Sequence, residues 1–172
     1  MAIARNGEHT LKGKPLTLLG PRLAPGDTAP DFHALDKDFQ PVRLGDTPRK
    51  VRIFSVVPSL DTPVCDRQSR RFNQEAGSFG DRVAVYTVSR DTPFAQSRWC
   101  GAADATNMTV LSDLRDGSFG LNWGVQIEEM GLLARSVFVV DPDGIVHYAQ
   151  YVPEFADLPE YEPVLAAVRA LL

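Results

Sequence analysis

Two cysteines carry the reactive chemistry that this sequence offers. They are Cys65 and Cys100, and 34 residues separate them. A thiolate is a good nucleophile, and its oxidation product can condense with a second thiol to a disulfide. The spacing excludes the tight CxxC pair of a disulfide oxidoreductase. Since a resting structural disulfide is not expected in a reducing compartment, the two cysteines are either buried fillers or working thiols.

The residues before Cys65 place it in the first turn of a predicted helix. Thr62 is a typical N-cap and Pro63 a typical first helical residue, so Cys65 falls at the third helical position. Free backbone N–H groups and the helix dipole favour an anion there, and the sharp strand-to-helix turn predicts a solvent-facing nucleophile. Asp66 opposes this effect, because a carboxylate turned toward the sulfur raises the thiol pKa.

Cys100 is predicted to lie at the end of a second, shorter helix. That helix opens at Asp91-Thr92-Pro93, and Gly101 is the expected residue just beyond its C-terminus. A disulfide to Cys65 needs Cα atoms within about 7 Å, so helix ends have to unwind if the resting thiols are farther apart. In the alternative interpretation Cys100 is an inert core residue beside Trp99.

Strands and helices alternate through the rest of the chain. The apolar and β-branched runs predict strands at 51–57, 83–88, near 110, 135–140 and 145–151. Helical spacing and start signals predict helices at 63–76 and 93–100 and a closing helix that contains Leu165, Val168, Leu171 and Leu172. Short apolar runs around Lys12-Gly13 predict an N-terminal hairpin at about 9–19. This order predicts a single α/β domain over residues 1–172, with a thioredoxin-like mixed sheet flanked by helices.

The residues around both cysteines resemble a known family. The string Pro58-x-x-x-Thr62-x-x-Cys65 is similar to the active-site signature of the peroxiredoxins, and the segments PSLDTPVC, RRFNQEA, DTPFAQSRWCGA and ARSVFVVD resemble its thiol peroxidase branch of atypical 2-Cys type. The resemblance extends over nearly the whole chain. It implies that Cys65 is the peroxidatic and Cys100 the resolving cysteine, that Thr62 and Arg135 complete the peroxide pocket, and that Pro58 shields it.

The same resemblance implies reduction of hydrogen peroxide and organic hydroperoxides, regeneration by thioredoxin, and a homodimer. A sulfenic acid on Cys65 has three possible partners, which are Cys100 of the same chain, Cys100 of a partner chain, and an external thiol. Closing the loop between the two cysteines constrains the unfolded chain by only about 4 kcal/mol. We therefore predict an intramolecular Cys65–Cys100 disulfide.

The chemistry of peroxide reduction needs these residue types. A thiolate attacks one peroxide oxygen while negative charge develops on the departing oxygen. Arg135 keeps its proton and has a planar set of N–H donors that can contact the sulfur and the peroxide together. The Thr62 hydroxyl can donate a hydrogen bond to the thiolate or accept one from the peroxide. In the alternative interpretation Thr62 only caps its helix and Arg135 only pairs with a carboxylate.

The composition excludes several function classes. The 172 residues include 18 basic and 22 acidic side chains, for a net charge of −4, and no run of five like charges predicts a nucleic-acid or anionic-membrane partner. The N-terminus lacks the apolar region of a signal peptide, so we expect a soluble, cytoplasmic protein. His9, His33 and His147 are scattered and are expected at the surface or at edges, without metal-ligand spacing. The absence of a Gly-rich nucleotide motif predicts no organic cofactor.

Two alternative functions remain open at this stage. Cys65 and Arg71 fit the Cys-x5-Arg pattern of cysteine phosphatases, although the intervening residues contain no glycine and the predicted helix leaves no loop to wrap a phosphate. The other alternative is a non-enzymatic redox sensor or binding protein that uses the two cysteines as a switch. Catalytic turnover of peroxide distinguishes an enzyme from such a protein.

Overall fold

The computed structural model describes all residues from Met1 to Leu172. Ten strands are formed: β1 Ala4–Leu11, β2 Lys14–Leu19, β3 Ala34–Leu35, β4 Pro41–Val42, β5 Val51–Val56, β6 Val83–Ser89, β7 Thr109–Ser112, β8 Gln126–Ile127, β9 Ser136–Val140 and β10 Val146–Tyr151. Four α-helices are formed: α1 Pro63–Phe79, α2 Pro93–Ala103, α3 Ser118–Asn122 and α4 Tyr161–Arg169. No helix is both long and apolar enough to cross a bilayer.

A seven-stranded mixed sheet with the order β10-β9-β5-β6-β7-β3-β4 forms the centre of the fold. Strands β5, β6 and β7 are parallel, whereas β9 runs antiparallel to β5 and β10 antiparallel to β9. The register pairs Val56, the last residue of β5, with Ser136, the first residue of β9. Arg135, which precedes β9, therefore lies at the end of the sheet where β5 ends and the chain turns toward α1.

Apolar side chains form three buried clusters. A cluster of 21 residues includes the aromatic rings of Phe54, Phe119 and Trp123, and a second cluster of ten packs α1 and α4 against the sheet. A third, smaller cluster lies at one end of the sheet, between the start of α1 and the C-terminal part of α2. Its members are Val57, Leu60, Cys65, Trp99, Ala105 and Val110. The two predicted cysteine helices thus share one small core at this end of the sheet.

The N-terminal hairpin is confirmed and is longer than expected. Strands β1 and β2 pair from Ala4↔Leu19 to Leu11↔Lys14, and β8 adds a third strand to them. Lys12 and Gly13 take positive φ values of 52° and 75° at the turn, which is the conformation that short hairpin turns require. The pairing continues past His9 to Ala4 across an irregularity between Asn6 and His9, where the register shifts.

Several helix ends differ from the expectation. Helix α1 continues three residues beyond the predicted end, to Phe79, and α2 continues to Ala103, so Gly101 lies inside α2 and not beyond it. Asp104 takes the left-handed conformation at the end of α2, with φ 51°. Helix α4 ends at Arg169, so its buried face is formed by Val164, Leu165 and Val168. His9 lies on β1, an edge strand of the three-stranded sheet, but the expectation that it is at the surface is wrong, because it is only 1% exposed.

Candidate active site

The first turn of α1 places Cys65 as the sequence predicts. Thr62 is the N-cap, with an extended backbone, and Pro63 is the first helical residue. The Thr62 side chain does not cap the helix; its hydroxyl donates to the carbonyl of Ser59 at 3.1 Å. The interpretation of Thr62 as only a helix cap is therefore wrong, and its hydroxyl oxygen keeps lone pairs for another donor.

The Cys65 side chain is buried, and the expectation of a solvent-facing thiol is wrong. Its exposed fraction is 0%, because the side chain packs with Val57, Leu60 and Trp99 in the small cluster. Apolar packing alone disfavours a thiolate, since burial penalises the charged form. A charged neighbour inside the same site is therefore needed to stabilise an anion on this sulfur.

Arg135 provides that charge. It is 1% exposed, and its Nη2 donates to Cys65 Sγ at 3.4 Å and to the carbonyl of Phe155 at 3.2 Å. Its Nη1 donates to Gln68 Oε1 at 2.9 Å. None of these partners is a carboxylate, so the interpretation of Arg135 as only an ion-pair residue is wrong. The guanidinium forms no salt bridge, and Cys65 is the one ionisable side chain among its hydrogen-bond partners.

Gln68 is a site residue that the sequence analysis missed. It is fully buried one turn after Cys65 on the same face of α1, and its Nε2 donates to Ser55 Oγ at 2.8 Å. This donation orients the amide so that its oxygen faces Arg135. A polar side chain three residues after Cys65, on the face of α1 that also carries the buried Phe72, is the signal that could have identified it.

The loop between β5 and α1 is held by Asp91, which comes from the start of α2. Asp91 Oδ1 accepts the Ser59 hydroxyl at 2.7 Å, and Asp91 Oδ2 accepts the backbone N–H of Leu60 at 2.8 Å. Pro58 is buried at the beginning of the same loop. The loop that carries Pro58 and Thr62 is therefore attached to the helix that carries Cys100.

The charge of Asp66 is engaged by two donors. Its carboxylate accepts Trp99 Nε1 at 2.9 Å and Arg70 Nε at 2.9 and 3.0 Å. The ion pair with Arg70 compensates much of the negative charge beside Cys65. The unfavourable effect expected from this neighbour is thus reduced, and Asp66 instead links α1 to the Trp99–Cys100 end of α2.

Cys100 lies within the last turn of α2 and is partly exposed. Its carbonyl accepts the backbone N–H of Ala105 at 3.0 Å, and its side chain packs against the small cluster that contains Cys65. It also lines a cavity of about 370 Å³ together with Lys37, Gln96 and Met108. Burial raises the pKa of the Cys100 thiol. Both cysteines are free thiols, so the structure describes the dithiol form.

The other candidate chemistries find no support in the geometry. Residues 63–79 are helical, so the Cys-x5-Arg segment forms no loop around a phosphate, and Arg71 pairs with Glu75 on the exposed side of α1. The phosphatase interpretation is therefore wrong. No three His, Cys, Asp or Glu side chains converge into a group that could hold a metal ion.

The sequence is similar to those of known proteins over most of its length. The family model described as redoxin matches residues 24–165. The chain is 53% identical to the thiol peroxidase of Bacillus subtilis (strain 168), over 96% of this chain and 98% of the relative. It is 52% identical to the thiol peroxidase of Clostridium acetobutylicum, over 92% of this chain and 96% of the relative.

Solved structures show the same architecture. A peroxiredoxin-like protein from Aquifex aeolicus superposes with a TM-score of 0.90 at 41% identity, over 98% of both chains. The thiol peroxidase from Chromobacterium violaceum superposes with a TM-score of 0.84 over 94% of this chain and 95% of the other, and at 18% identity this likeness concerns the fold alone. The predicted α/β fold of thioredoxin-like type, with its central mixed sheet, is confirmed.

Proposed function

Because the chain belongs to the redoxin family and is a thiol-dependent peroxidase of the peroxiredoxin type, we propose that Cys65 reduces the peroxide and that Cys100 resolves the product. The observation that carries this assignment is the contact of Arg135 Nη2 with Cys65 Sγ at 3.4 Å in the first turn of α1. Relatives of about 50% identity that are thiol peroxidases set aside the non-enzymatic alternative.

In the first step the Cys65 thiolate attacks one peroxide oxygen. An S–O bond forms and the O–O bond breaks, so the sulfur is oxidised to a sulfenic acid and the departing oxygen takes the electron pair and a proton. Arg135 stabilises the thiolate before attack and the developing charge on the departing oxygen afterwards. The Thr62 hydroxyl oxygen accepts a hydrogen bond from the peroxide, and Pro58 keeps water from the site.

In the second step the Cys100 thiolate attacks the sulfur of the Cys65 sulfenic acid. An S–S bond forms and the S–O bond breaks, which releases the oxygen as water after it takes a proton. We place both sulfurs in the same chain, because both pack on the same small cluster. Cys100 lies within the last turn of α2, and local unwinding of that turn is how we expect its sulfur to approach Cys65.

A dithiol reductant then returns the disulfide to two thiols. On the strength of the family resemblance we propose thioredoxin as this reductant, a homodimer as the assembly and the cytoplasm as the location. Hydrogen peroxide and small organic hydroperoxides are the proposed substrates, since the buried thiol is contacted by one charged side chain, Arg135, and no second charged contact is present to recognise a larger polar molecule. The first two steps of the proposed cycle use only side chains of this protein, and the third adds the external dithiol.

The testing experiment measures peroxide-dependent oxidation of thioredoxin with three proteins: wild type, Cys65→Ser and Cys100→Ser. We expect steady turnover by wild type and none by Cys65→Ser. Cys100→Ser should consume about one equivalent of peroxide, then stall and drift toward irreversible over-oxidation at Cys65. Retention of most of the activity by Cys65→Ser, with circular dichroism showing a native fold, would contradict the assignment.

The location of the resolving thiol is tested by denaturing, non-reducing electrophoresis after one equivalent of peroxide. We expect an oxidised monomer that runs differently from the reduced monomer. Cys100→Ser is the control, because it cannot form this bond. A covalent dimer in place of the oxidised monomer would put the resolving thiol on the partner chain.

A further inference from the structure

The position of Arg135 depends on a short segment that follows β10, residues 152–155. The backbone carbonyl of Arg135 accepts the N–H of Val152 at 3.0 Å, and the carbonyl of Phe155 accepts Arg135 Nη2 at 3.2 Å. Both the backbone and the side chain of Arg135 are thus attached to residues 152–155. Since the same Nη2 also donates to Cys65 Sγ, movement of Phe155 moves the donor that faces the sulfur.

This segment is held from outside by the N-terminal hairpin. The N–H of Thr10 donates to the carbonyl of Pro153 at 2.8 Å, and the N–H of Phe155 donates to the carbonyl of Thr10 at 2.8 Å. The buried ring of His9 contacts the carbonyl of Val152 through Nδ1 at 2.9 Å. Strand β1 therefore runs alongside residues 152–155 as their backbone partner.

Glu154 adds a side-chain attachment at the turn of the hairpin. Its carboxylate accepts the Thr10 hydroxyl, the N–H of Lys12 at 2.8 Å and the N–H of Gly13 at 3.3 Å. Lys12 and Gly13 are the two positive-φ residues of the turn, so one carboxylate both closes the turn and ties it to residue 154. The hydrogen bond from Thr10 lowers the pKa of Glu154, which keeps it charged at neutral pH.

We propose that Glu154 is a positioning residue for peroxide reduction, because its carboxylate fastens residues 152–155 to the β1–β2 turn and this segment holds the Arg135 guanidinium against Cys65. The inference rests on the proposed roles of Cys65 and Arg135. Glu154 itself touches neither residue. Its effect on catalysis passes through the carbonyl of Phe155, and the hairpin thereby becomes part of the machinery that activates the thiolate.

The test compares Glu154→Ala and Glu154→Gln with the matched control Glu129→Ala. Glu129 is a suitable control because its carboxylate also accepts a backbone N–H of the hairpin, that of Thr17 at 3.0 Å, without contact to residues 152–155. Glutamine in place of Glu154 can still accept from Lys12 and donate to the Thr10 hydroxyl, and it loses only the longer contact with the Gly13 N–H. Two readouts are used: kcat/KM for hydrogen peroxide, and the pH midpoint of Cys65 alkylation by iodoacetamide in a Cys100→Ser background.

We expect Glu154→Ala to lower kcat/KM by about 10-fold, since a small displacement of a catalytic group has an effect of this order or larger. The alkylation midpoint should rise in the same variant, because Arg135 then stabilises the thiolate less. Glu154→Gln should stay within about 2-fold of wild type, and Glu129→Ala should change neither readout. If Glu154→Ala fails to fold, Thr10→Val removes one of the three donors and should shift both readouts in the same direction.

Unchanged kcat/KM and an unchanged alkylation midpoint in a folded Glu154→Ala protein would overturn the proposal. An equal drop in Glu154→Ala and Glu129→Ala would do the same, since it would show only a general need for an intact hairpin. Failure of the proposed function has a different signature, which is residual turnover in Cys65→Ser. The alkylation midpoint does not depend on peroxide turnover, so the two failures can be told apart.

Discussion

Replacing Arg135 by methionine tests the charge at the centre of the site. Methionine keeps an unbranched side chain of comparable reach but removes every donor. Three acceptors then lose a partner: Cys65 Sγ, Gln68 Oε1 and the carbonyl of Phe155. The first loss acts on the reaction, whereas the other two act on the stability of the fold.

The magnitudes follow from these separate losses. Removal of one preorganised donor from a developing anion lowers kcat/KM by about 100- to 1,000-fold, or about 3 to 4 kcal/mol. Two buried acceptors without donors cost about 1 to 3 kcal/mol each in unfolding free energy. Removal of a buried guanidinium whose Nε has no partner offsets part of that cost. We therefore expect a folded but destabilised protein with a much larger defect in activity.

Arg52 provides a matched control for this experiment. It is also a buried arginine, 4% exposed, and it donates to Thr47 Oγ1 at 2.9 Å and to the carbonyl of Asp141 at 2.6 Å. Its Nε likewise lacks a partner, and it lies at the opposite end of β5 from the site. Arg52→Met should lose a similar amount of unfolding free energy and keep kcat/KM within about 3-fold, since it contacts no reacting atom.

The assay measures kcat/KM for hydrogen peroxide at a saturating concentration of reductant, together with urea unfolding of each protein. We predict that the two variants lose comparable stability and that only Arg135→Met loses activity beyond that loss. Equal reductions of kcat/KM in Arg135→Met and Arg52→Met would refute it. Arg135 would then be a structural residue whose proximity to Cys65 has no catalytic consequence.

Two further predictions concern the loop and the hairpin. Asp91→Ala leaves the backbone N–H of Leu60 without an acceptor and should cost about 1 to 3 kcal/mol in unfolding free energy and raise KM for peroxide, whereas Asp91→Asn should keep most of both values in the same assays. Burial lowers the pKa of His9, so below its usual 6.5 the unfolded chain binds more protons than the folded one and stability falls as pH falls. The slope is at most about 1.4 kcal/mol per pH unit and should be absent from His9→Asn, in which Nδ2 can still donate to the same carbonyl. The measurement is the unfolding free energy in urea from pH 7 to 5, taken as the difference between wild type and His9→Asn. The difference is needed because burial raises the pKa of Asp113 to about 6, which makes both proteins more stable as the pH falls. Equal slopes in wild type and His9→Asn would exclude His9 as the source.

Local signals predicted the elements of this fold well, and contacts between distant residues were not predictable. The Thr62-Pro63 start of α1 depends on neighbouring residues only, so the third helical position of Cys65 could be read from the sequence. Contacts of Arg135 with Gln68 and Phe155 join residues that are far apart in the chain. Neither hydrophobic periodicity nor a local motif predicts which of these distant residues contact each other.

Two wrong expectations concern the ends of helices. A helix N-terminus normally faces solvent, but packing with Trp99 from α2 covers Cys65 in this fold. Glycine normally ends a helix in the left-handed conformation, but here α2 continues past Gly101 and Asp104 takes that conformation. The N–H groups of Asp104 and Ala105 satisfy the carbonyl of Cys100, which compensates the strain of a positive φ at a residue other than glycine.

The unequal burial of the two sulfurs bears on which sulfur of the proposed disulfide is attacked by the reductant. Cys65 has no exposed surface, whereas Cys100 is partly exposed beside an open cavity. If Cys100 resolves Cys65 as proposed, we expect an external thiolate to attack the sulfur of Cys100, so that the mixed disulfide forms there and Cys65 is the leaving thiolate. Thiol–disulfide exchange is faster when the departing thiolate is stabilised, and Arg135 stands beside that sulfur. In the proposed mechanism the Arg135 guanidinium therefore acts twice: it activates Cys65 for attack on peroxide, and it stabilises Cys65 as the leaving thiolate when the disulfide is reduced.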